Sequence, residues 1–339
     1  LHIDQLTATS YAYGLMQDKL TQGRQSWDIN KDKSHGDVII RKHPLTQYHA
    51  ALYNINSIAI GDYKVLIDTH VHRLHSSITN MQKDYRNFLT YDGQELVSID
   101  IKNSQPYLAC VLLNPMFWHI SNDLSLSLYS LPEDIQKSIT TVALPLELNK
   151  FFSKCSDGEF TPYKQTVADG RMYETIAQVC QTSLHKSINR NEAKTLMFHL
   201  LFSSNQGQHD DTTINQMKDI FSTELFPKVA LLFKIIKRKY KGVPIKKQHN
   251  RLACLLQSIE SEIILHRCCK RIWEEGNNQV PVFTIHDSIA TTVEHVEWVK
   301  MIIEEELTRV IGLPPTLSIE HWNANNNSSS QHNSNIIEE

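Results

Sequence analysis

Glu95-Leu-Val-Ser-Ile-Asp100 alternates apolar and polar residues and ends in an aspartate. Such alternation is typical of a β-strand with one buried face. A second strand-like run, Pro281-Val-Phe-Thr-Ile-His286, leads directly into Asp287, and the run 289–293 completes a predicted hairpin. Strand ends and tight turns hold a side chain on a rigid base, and Mg²⁺ prefers oxygen ligands such as carboxylates. We therefore predict that Asp100 and Asp287 share a divalent-cation site. The alternative is that Asp100 caps a helix and Asp287 only forms a turn.

Between the two aspartates lies a segment with helical periodicity that begins after Asn189, a plausible N-cap. Arg190, Lys194, Phe198 and Phe202 recur every four residues in it. On an ideal helix they lie about 40° apart and form one stripe. The stripe predicts two cations for a triphosphate and two rings for a sugar and base. The alternative is an amphipathic helix whose phenylalanines are core and whose cations are solvated.

The composition, with 41% hydrophobic and 21% charged residues, fits a globular protein. Only 11 glycines and 11 prolines in 339 residues favour long helices over sandwiches or repeat arrays. Six cysteines without metal-type spacing predict buried thiols in a reducing compartment. No apolar run reaches the roughly 18 residues of a membrane span. We therefore expect an intracellular protein, cytoplasmic or nucleoid-associated, without a membrane partner.

A net charge of −3 means that any nucleic-acid signal must be local. One local signal is a basic run without acids between residues 234 and 251, and it suits a phosphate backbone. A solvated loop is the alternative reading. The run contains Lys234, Lys237, Arg238, Lys239, Lys241, Lys246, Lys247 and Arg251.

In chain order, three of these segments resemble motifs of the family A polymerases, which include repair-type DNA polymerases and single-subunit phage-type RNA polymerases. Val97-Ser-Ile-Asp100-Ile-Lys-Asn-Ser104-Gln105-Pro resembles their first catalytic motif. The segment from Arg190 to Phe202 resembles the fingers motif Arg-x3-Lys-x7-Tyr-Gly. Phe283-Thr-Ile-His286-Asp287-Ser288 resembles the motif that supplies the second metal carboxylate. The match extends over about residues 70–322 and includes weaker echoes around Arg73, Gln257 and 318–322.

The resemblance implies template-directed nucleotidyl transfer with two Mg²⁺ ions, Mn²⁺ being the alternative metal. The substrates implied are nucleoside triphosphates and a DNA primer-template, with RNA as an alternative template. The implied site residues are Asp100, Asp287 and the Ile101 carbonyl for metal, Arg190 and Lys194 for the triphosphate, Phe198 and Phe202 for the nucleotide, Gln105 or Tyr107 beside the sugar, His286 for primer-side phosphate or metal geometry, and Arg73 and Gln257 for the duplex. Lys246, Lys247 and Arg251 of the basic run are further nucleic-acid candidates.

The implied fold is α+β, a helix-rich right-hand polymerase with an antiparallel palm sheet and helical fingers. The predicted divisions are a thumb-like, template-contacting N-terminal segment at 1–93, palm at 94–130, fingers at 131–248, palm at 249–322 and a disordered tail at 323–339. Where the family has Tyr-Gly, this chain has Phe202-Ser203, so a hydroxyl and a flexible glycine are missing. With bulk at Gln105 or Tyr107, this favours deoxynucleotides, and hence a DNA-directed DNA polymerase.

Two other classes of protein compete with a polymerase. The first is a catalytically reduced relative that binds nucleic acid in replication or defence, because fold does not guarantee function. The second rests on Leu66-Ile-Asp68-Thr-His70-Val-His72, which resembles the metal-binding start of zinc amidohydrolases. That reading requires a barrel of regular strand–helix units.

Overall fold

The computed structural model is a helix-rich α+β fold whose largest sheet is antiparallel. The structure describes residues 1–22, 28–31, 38–41, 43–119, 126–140, 143–205, 209, 211–240 and 248–323. The strands are β1 (His2–Ile3), β2 (Asp28–Lys31), β3 (Val38–Arg41), β4 (Val65–Ile67), β5 (Leu74–Ser76), β6 (Leu89–Tyr91), β7 (Gln94–Ile101), β8 (Phe283–Ile285), β9 (Ser288–Thr292) and β10 (Leu317–Trp322).

Strand β7 is the centre of the main sheet, which runs in the order β1-β6-β7-β9-β8. Strand β9 pairs along one edge of β7 and β10 along the other, both antiparallel. The strand predicted before Asp100, the hairpin predicted around Asp287 and the final strand are thus confirmed. Two separate ribbons, β2-β3 and β4-β5, complete the described strands.

Helices make up most of the remaining described chain. They are α1 (Gln5–Thr21), α2 (Pro44–Ala59), α3 (Ser104–Leu108), α4 (Glu133–Thr140), α5 (Leu144–Phe152), α6 (Thr161–Ala168), α7 (Met172–Ser183), α8 (Arg190–Phe202), α9 (Thr212–Ile220), α10 (Pro227–Ile236), α11 (Arg251–Ser261), α12 (Lys270–Glu275) and α13 (Val296–Ile311). Within the described residues, none of these helices is long and apolar enough to cross a membrane.

The two faces of β7 pack against different cores. Ile99 and Ile101 belong to a large core shared with the helices from α3 onward. Leu96 belongs to a smaller core that contains residues of α1 and α2. Because side chains alternate along a strand, Asp100 lies on the same face of β7 as Leu96. Asp100 therefore stands at the end of the face that the N-terminal helices cover.

The antiparallel sheet contradicts the zinc-hydrolase alternative, which needs a barrel of parallel strands. The motif itself forms a local turn. The Asp68 carboxylate accepts backbone N–H groups from His70 (2.8 Å), Val71 (2.8 Å) and Arg73 (3.0 Å). Burial raises the pKa of Asp68, but these hydrogen bonds outweigh it and lower the pKa to about 2. Asp68 thus organises the turn before β5.

Candidate active site

The β7–β9 ladder brings the two predicted carboxylates together. In its register Asp100 lies opposite Ser288, the residue that follows Asp287. Ile285 also pairs with Ser288, so His286 and Asp287 form a two-residue turn between β8 and β9. His286 adopts a left-handed backbone conformation with φ of 55°, which tight hairpin turns require. The turn places Asp287 beside the end of β7.

The pKa of Asp100 reflects the proximity of Asp287. Burial, followed by the like charge of Asp287, raises the pKa of Asp100, while a hydrogen bond from the Ser288 side chain opposes the shift. Two partly buried carboxylates that repel each other are stabilised by a bound cation, and Mg²⁺ binds with few protein oxygens because it retains waters. In the described part of the chain no group of three or more His, Cys, Asp or Glu forms a metal cluster. The residues fit a cation held by two carboxylates and water.

This repulsion leads to a measurable prediction about stability. In metal-free buffer at neutral pH, Asp100→Asn should unfold at a higher temperature than the wild type, because it removes a carboxylate whose pKa is raised. Mg²⁺ should reverse the order, since a ligand at 100 times its Kd stabilises the wild type by about 2.7 kcal/mol. Thermal unfolding with and without Mg²⁺ tests this. Equal Mg²⁺ stabilisation of both proteins would place the cation elsewhere.

A buried carboxylate that the sequence did not reveal lies next to this pair. Glu260 in α11 is 1% exposed. Its two oxygens lie 2.7 and 2.8 Å from one terminal nitrogen of Arg73, and Gln105 donates its side-chain N–H at 2.5 Å. Burial and the nearby charge of Asp287 raise the pKa of Glu260 to about 7, against the opposing charge of Arg73. The Glu260 carboxylate therefore links three segments: the residues before β5, the start of α3, and α11 itself.

Several polar atoms around Glu260 and Asp287 are buried without a hydrogen-bond partner among the described residues. They are Arg73 Nε, Gln105 Oε1, His286 Nδ1 and both amide atoms of Asn103. An unpaired buried polar atom costs about 1–3 kcal/mol. The His286 ring also lies 6.0 Å from that of His75. Burial, and then the charge of Arg73, lower the pKa of His286, so the imidazole is neutral at pH 7. This group of atoms suits a polar ligand.

In helix α8, the successive stripe residues Lys194, Phe198 and Phe202 contact one another. Asn189 caps it in a reciprocal capping box with Glu192, which confirms the predicted N-cap. The Lys194 ammonium lies 5.6 Å from the centre of the Phe198 ring. The rings of Phe198 and Phe202 are 5.7 Å apart. Lys194 is exposed, and both rings are partly buried. The stripe is therefore a mixed surface, with Phe202 also packed against the core.

Tyr173 in α7 links this helix to the aspartates, and the sequence gave no sign of it. The Arg190 guanidinium lies 5.0 Å from the centre of the Tyr173 ring and forms an ion pair with Glu174 at 3.1 Å. Burial raises the pKa of Tyr173 to about 12, with Arg190 opposing and Asp287 adding to the shift. Because the charges of both Arg190 and Asp287 act on one phenol, the N-terminal end of α8 lies on the side of Asp287.

Two predicted site residues are structural, which corrects the sequence-based assignment. Tyr107 is 0% exposed and donates its hydroxyl to the Leu313 carbonyl at 2.7 Å, so it cannot line a nucleotide pocket. Arg251 is 5% exposed and donates to the carbonyls of Ser138, Ile236 and Arg238, so it is not free for nucleic acid.

The remaining candidates are compatible with their predicted roles but are not tested by the structure. Gln257 is partly buried on α11, one turn before Glu260, and Gln105 is buried against Glu260. Ile101 is buried at the end of β7. Lys246 and Lys247, like residues 324–339 of the predicted tail, lie outside the described residues.

Comparison with known proteins finds likeness to solved structures but no match in sequence. No protein-family model matches the chain, and no curated protein matches it in sequence. The POL domain of Pol1 from M. smegmatis, solved in complex with DNA primer-template and dNTP, is similar over 96% of this chain and 67% of that chain. The TM-score is 0.48 and the sequence identity 12%. At a TM-score below 0.5 this likeness carries no information about function.

Proposed function

We propose that this protein is a template-directed nucleotidyltransferase of the DNA-polymerase type, with a palm formed by the main sheet and fingers formed by the helices around α8. One observation carries the proposal. The β7–β9 register brings Asp100 and Asp287, 187 positions apart in the chain, to one sheet end, where their charges interact. The ordered motifs at residues 97–106, 190–202 and 283–288 support the same reading.

Each candidate residue has a role in this function. Two Mg²⁺ ions, when bound, supply activation of the primer hydroxyl and charge neutralisation at the leaving pyrophosphate. Asp100 and Asp287, with the Ile101 carbonyl, hold them. His286, neutral at pH 7, donates or accepts a hydrogen bond at the primer-side phosphate.

The α8 stripe is the proposed binding surface for the incoming nucleotide. Arg190 and Lys194 neutralise the triphosphate, and Phe198 and Phe202 pack against the sugar and base. Gln105 lies beside the sugar with its Oε1 unpaired among the described residues. Phosphoryl transfer requires mainly positioning and charge stabilisation, and these side chains supply both.

Arg73 and Gln257 are the proposed contacts to the duplex. Arg73 is already oriented by Glu260, and Gln257 lies one turn before that carboxylate on α11. A guanidinium that is fixed before binding loses less side-chain entropy when it contacts a strand.

The test of the function is incorporation by purified protein. Labelled dNTPs or NTPs are supplied with Mg²⁺, or with Mn²⁺ in a parallel series, on primed and unprimed DNA and RNA templates. We expect Mg²⁺-dependent extension of a DNA primer, with dNTPs used in preference to NTPs. Absence of incorporation under every combination of template, nucleotide and metal would eliminate the proposal.

Lys194→Ala separates nucleotide use from template binding. The substitution removes one charge-assisted contact to the triphosphate, so kcat/KM for dNTP should fall roughly tenfold or more while primer-template affinity changes less than twofold. Steady-state extension and fluorescence anisotropy measure the two quantities. Lys150→Ala, on the exposed surface of α5, is the matched control and should change neither. Weaker template binding with unchanged kcat/KM would mean that α8 contacts the template strand and not the nucleotide.

A nucleic-acid-binding protein without turnover is the second candidate. The observation that favours it is the ion pair of Arg190 with Glu174, which a triphosphate must displace. The replacement of Tyr-Gly by Phe202-Ser203 points the same way. Template binding by the wild-type protein without incorporation of any nucleotide would select this candidate.

A further inference from the structure

A polar cavity lies at the C-terminal end of α8, away from the Arg190 end. Its volume is about 300 Å³, and α9, α10 and the residues after α8 contribute to its lining. Three lysines and one aspartate are its charged lining residues: Lys218, Lys234, Lys237 and Asp219. Three positive charges against one negative charge leave an excess of two positive charges.

Lys237 is explained by the fold. Its side chain is 6% exposed, and its ammonium donates to the carbonyls of Leu200 at 2.9 Å and Ser203 at 3.2 Å. These carbonyls lie at the end of α8, where lysine commonly satisfies unpaired carbonyls. Burial, followed by the charge of Lys218, lowers the pKa of Lys237 to about 8. The Lys237 ammonium therefore has a structural role at the end of α8, and it also adds positive potential to the cavity.

Lys218 and Lys234 do not bind helix-end carbonyls as Lys237 does. Within the described ranges neither ammonium has a hydrogen bond or an ion pair, and Asp219 pairs with none of the three lysines. Lys218 is half-buried in α9, and burial lowers its pKa. A partly buried ammonium without an ion-pair partner is stabilised when an anion binds to it. Lys234 is exposed and can contact the same anion. The Asn205 amide, which donates to the Lys234 carbonyl at 2.7 Å, fixes the cavity wall beside Lys234.

We propose that this cavity is a phosphate-binding site in which Lys218 and Lys234 contact one phosphate group of a nucleic-acid strand. Helix α8 is 13 residues long, so the cavity lies about 20 Å from the Arg190 end. A stacked strand with about 3.4 Å per nucleotide covers that distance in roughly six nucleotides. The exposed Lys239 follows Lys234 in the chain and extends the positive surface, whereas Arg238 is paired with Glu147 at 2.7 Å. The choice of a nucleic-acid strand as the ligand rests on the proposed function. The excess of positive charge in the cavity is independent of that function.

The test is binding of single-stranded DNA oligonucleotides of 4 to 16 nucleotides, without nucleotide or metal, by fluorescence anisotropy. Lys218→Ala and Lys234→Ala should each weaken binding of the longer oligonucleotides roughly tenfold. The double variant should reduce the slope of log K against log salt by about 0.7, the value for one phosphate of a single strand. Oligonucleotides too short to span α8 should show no slope change.

Lys150→Ala is the matched control, because it removes the same charge from the exposed surface of α5, outside the cavity lining. It should weaken binding less than twofold. Lys218→Arg should restore most of the affinity and shows that the variant protein folds. Inorganic pyrophosphate, measured by calorimetry, is the second arm; loss of pyrophosphate binding in Lys218→Ala with unchanged oligonucleotide binding identifies free polyphosphate as the source of the phosphate.

Equal effects of Lys218→Ala and Lys150→Ala, or no effect of Lys218→Ala in either arm, overturn the site. Failure of the proposed function looks different. A protein that incorporates no nucleotide but loses strand affinity only in the Lys218 and Lys234 variants keeps this site and loses the catalytic proposal.

Discussion

Asp100→Asn and Asp287→Asn are each expected to lower the kcat of nucleotide incorporation by about a hundred- to a thousandfold or more, the cost of removing one preorganised group that stabilises charge in a transition state. Both changes keep the shape of the side chain and remove its charge. The β7–β9 ladder uses backbone groups, so the register opposite Ser288 remains. Primer-template affinity should stay the same or tighten slightly, because a negative charge near the phosphate backbone is removed.

Asp92→Asn is the matched control for this experiment. Asp92 is exposed in the turn before β7, with φ of 47°, a backbone conformation that asparagine also adopts readily. Its replacement should leave kcat unchanged. Single-turnover extension on a DNA primer-template measures all three variants. If either aspartate variant of the sheet end keeps more than a tenth of the wild-type rate, the two carboxylates do not form the catalytic site.

The elements that position this site were predictable because their signals are local. Alternation before Asp100 and around Asp287 gave β7, β8 and β9, and Asn189 gave the start of α8. The prediction that Asp100 and Asp287 share a site rested on two carboxylates at strand ends, and the order of the motifs supported it. The sequence alone does not give the spatial distance between two residues that are so far apart in the chain.

The segments 132–153 and 212–240 show where periodicity is insufficient. The helical periodicity of each is compatible with one long helix, but each contains two separate α-helices. Leu144 starts a new helix, with Pro145 in its first turn, and Pro227 opens α10 after a π-helical turn at 221–225. Proline is tolerated in a first helical turn and lacks the N–H that a helix interior needs. In contrast, residues 249–275 do form a nearly continuous helix, with a π-helical stretch at 262–269.

The mistaken site residues share one physical cause. Arg251 ends a basic run in the sequence, but its guanidinium is buried against carbonyls from three separate segments. Tyr107 has the bulk of a sugar contact, but its hydroxyl is bound to a carbonyl 206 residues away. Charge and size can be read from a sequence, whereas burial is decided by elements that are distant in the chain. The same reason hid Glu260 and Tyr173.

Glu260→Ala is expected to cause the largest loss of stability among single changes at the site, about 3 kcal/mol or more in the free energy of unfolding. The substitution leaves the Arg73 guanidinium, 18% exposed, and the Gln105 amide without their shared acceptor. Incorporation should fall as well, because both side chains lose the contact that orients them. Urea denaturation gives the stability. Glu262→Ala is the control, since its ion pair with Arg267 is 3.7 Å long, and it should cost less than about 1 kcal/mol.

Glu260→Gln gives the pH dependence, because it keeps the volume and removes the titration. Burial raises the folded-state pKa of Glu260 to about 7 from an ordinary value of 4.5, so the folded protein favours the protonated form. That contribution is fully present below pH 4.5 and is lost as pH rises to 7. The stability of Glu260→Gln relative to wild type should therefore increase between pH 4.5 and 7 and then level off. A difference that stays constant between pH 4.5 and 7 and changes only below pH 4.5 would mean that Arg73 holds Glu260 ionised in the folded protein.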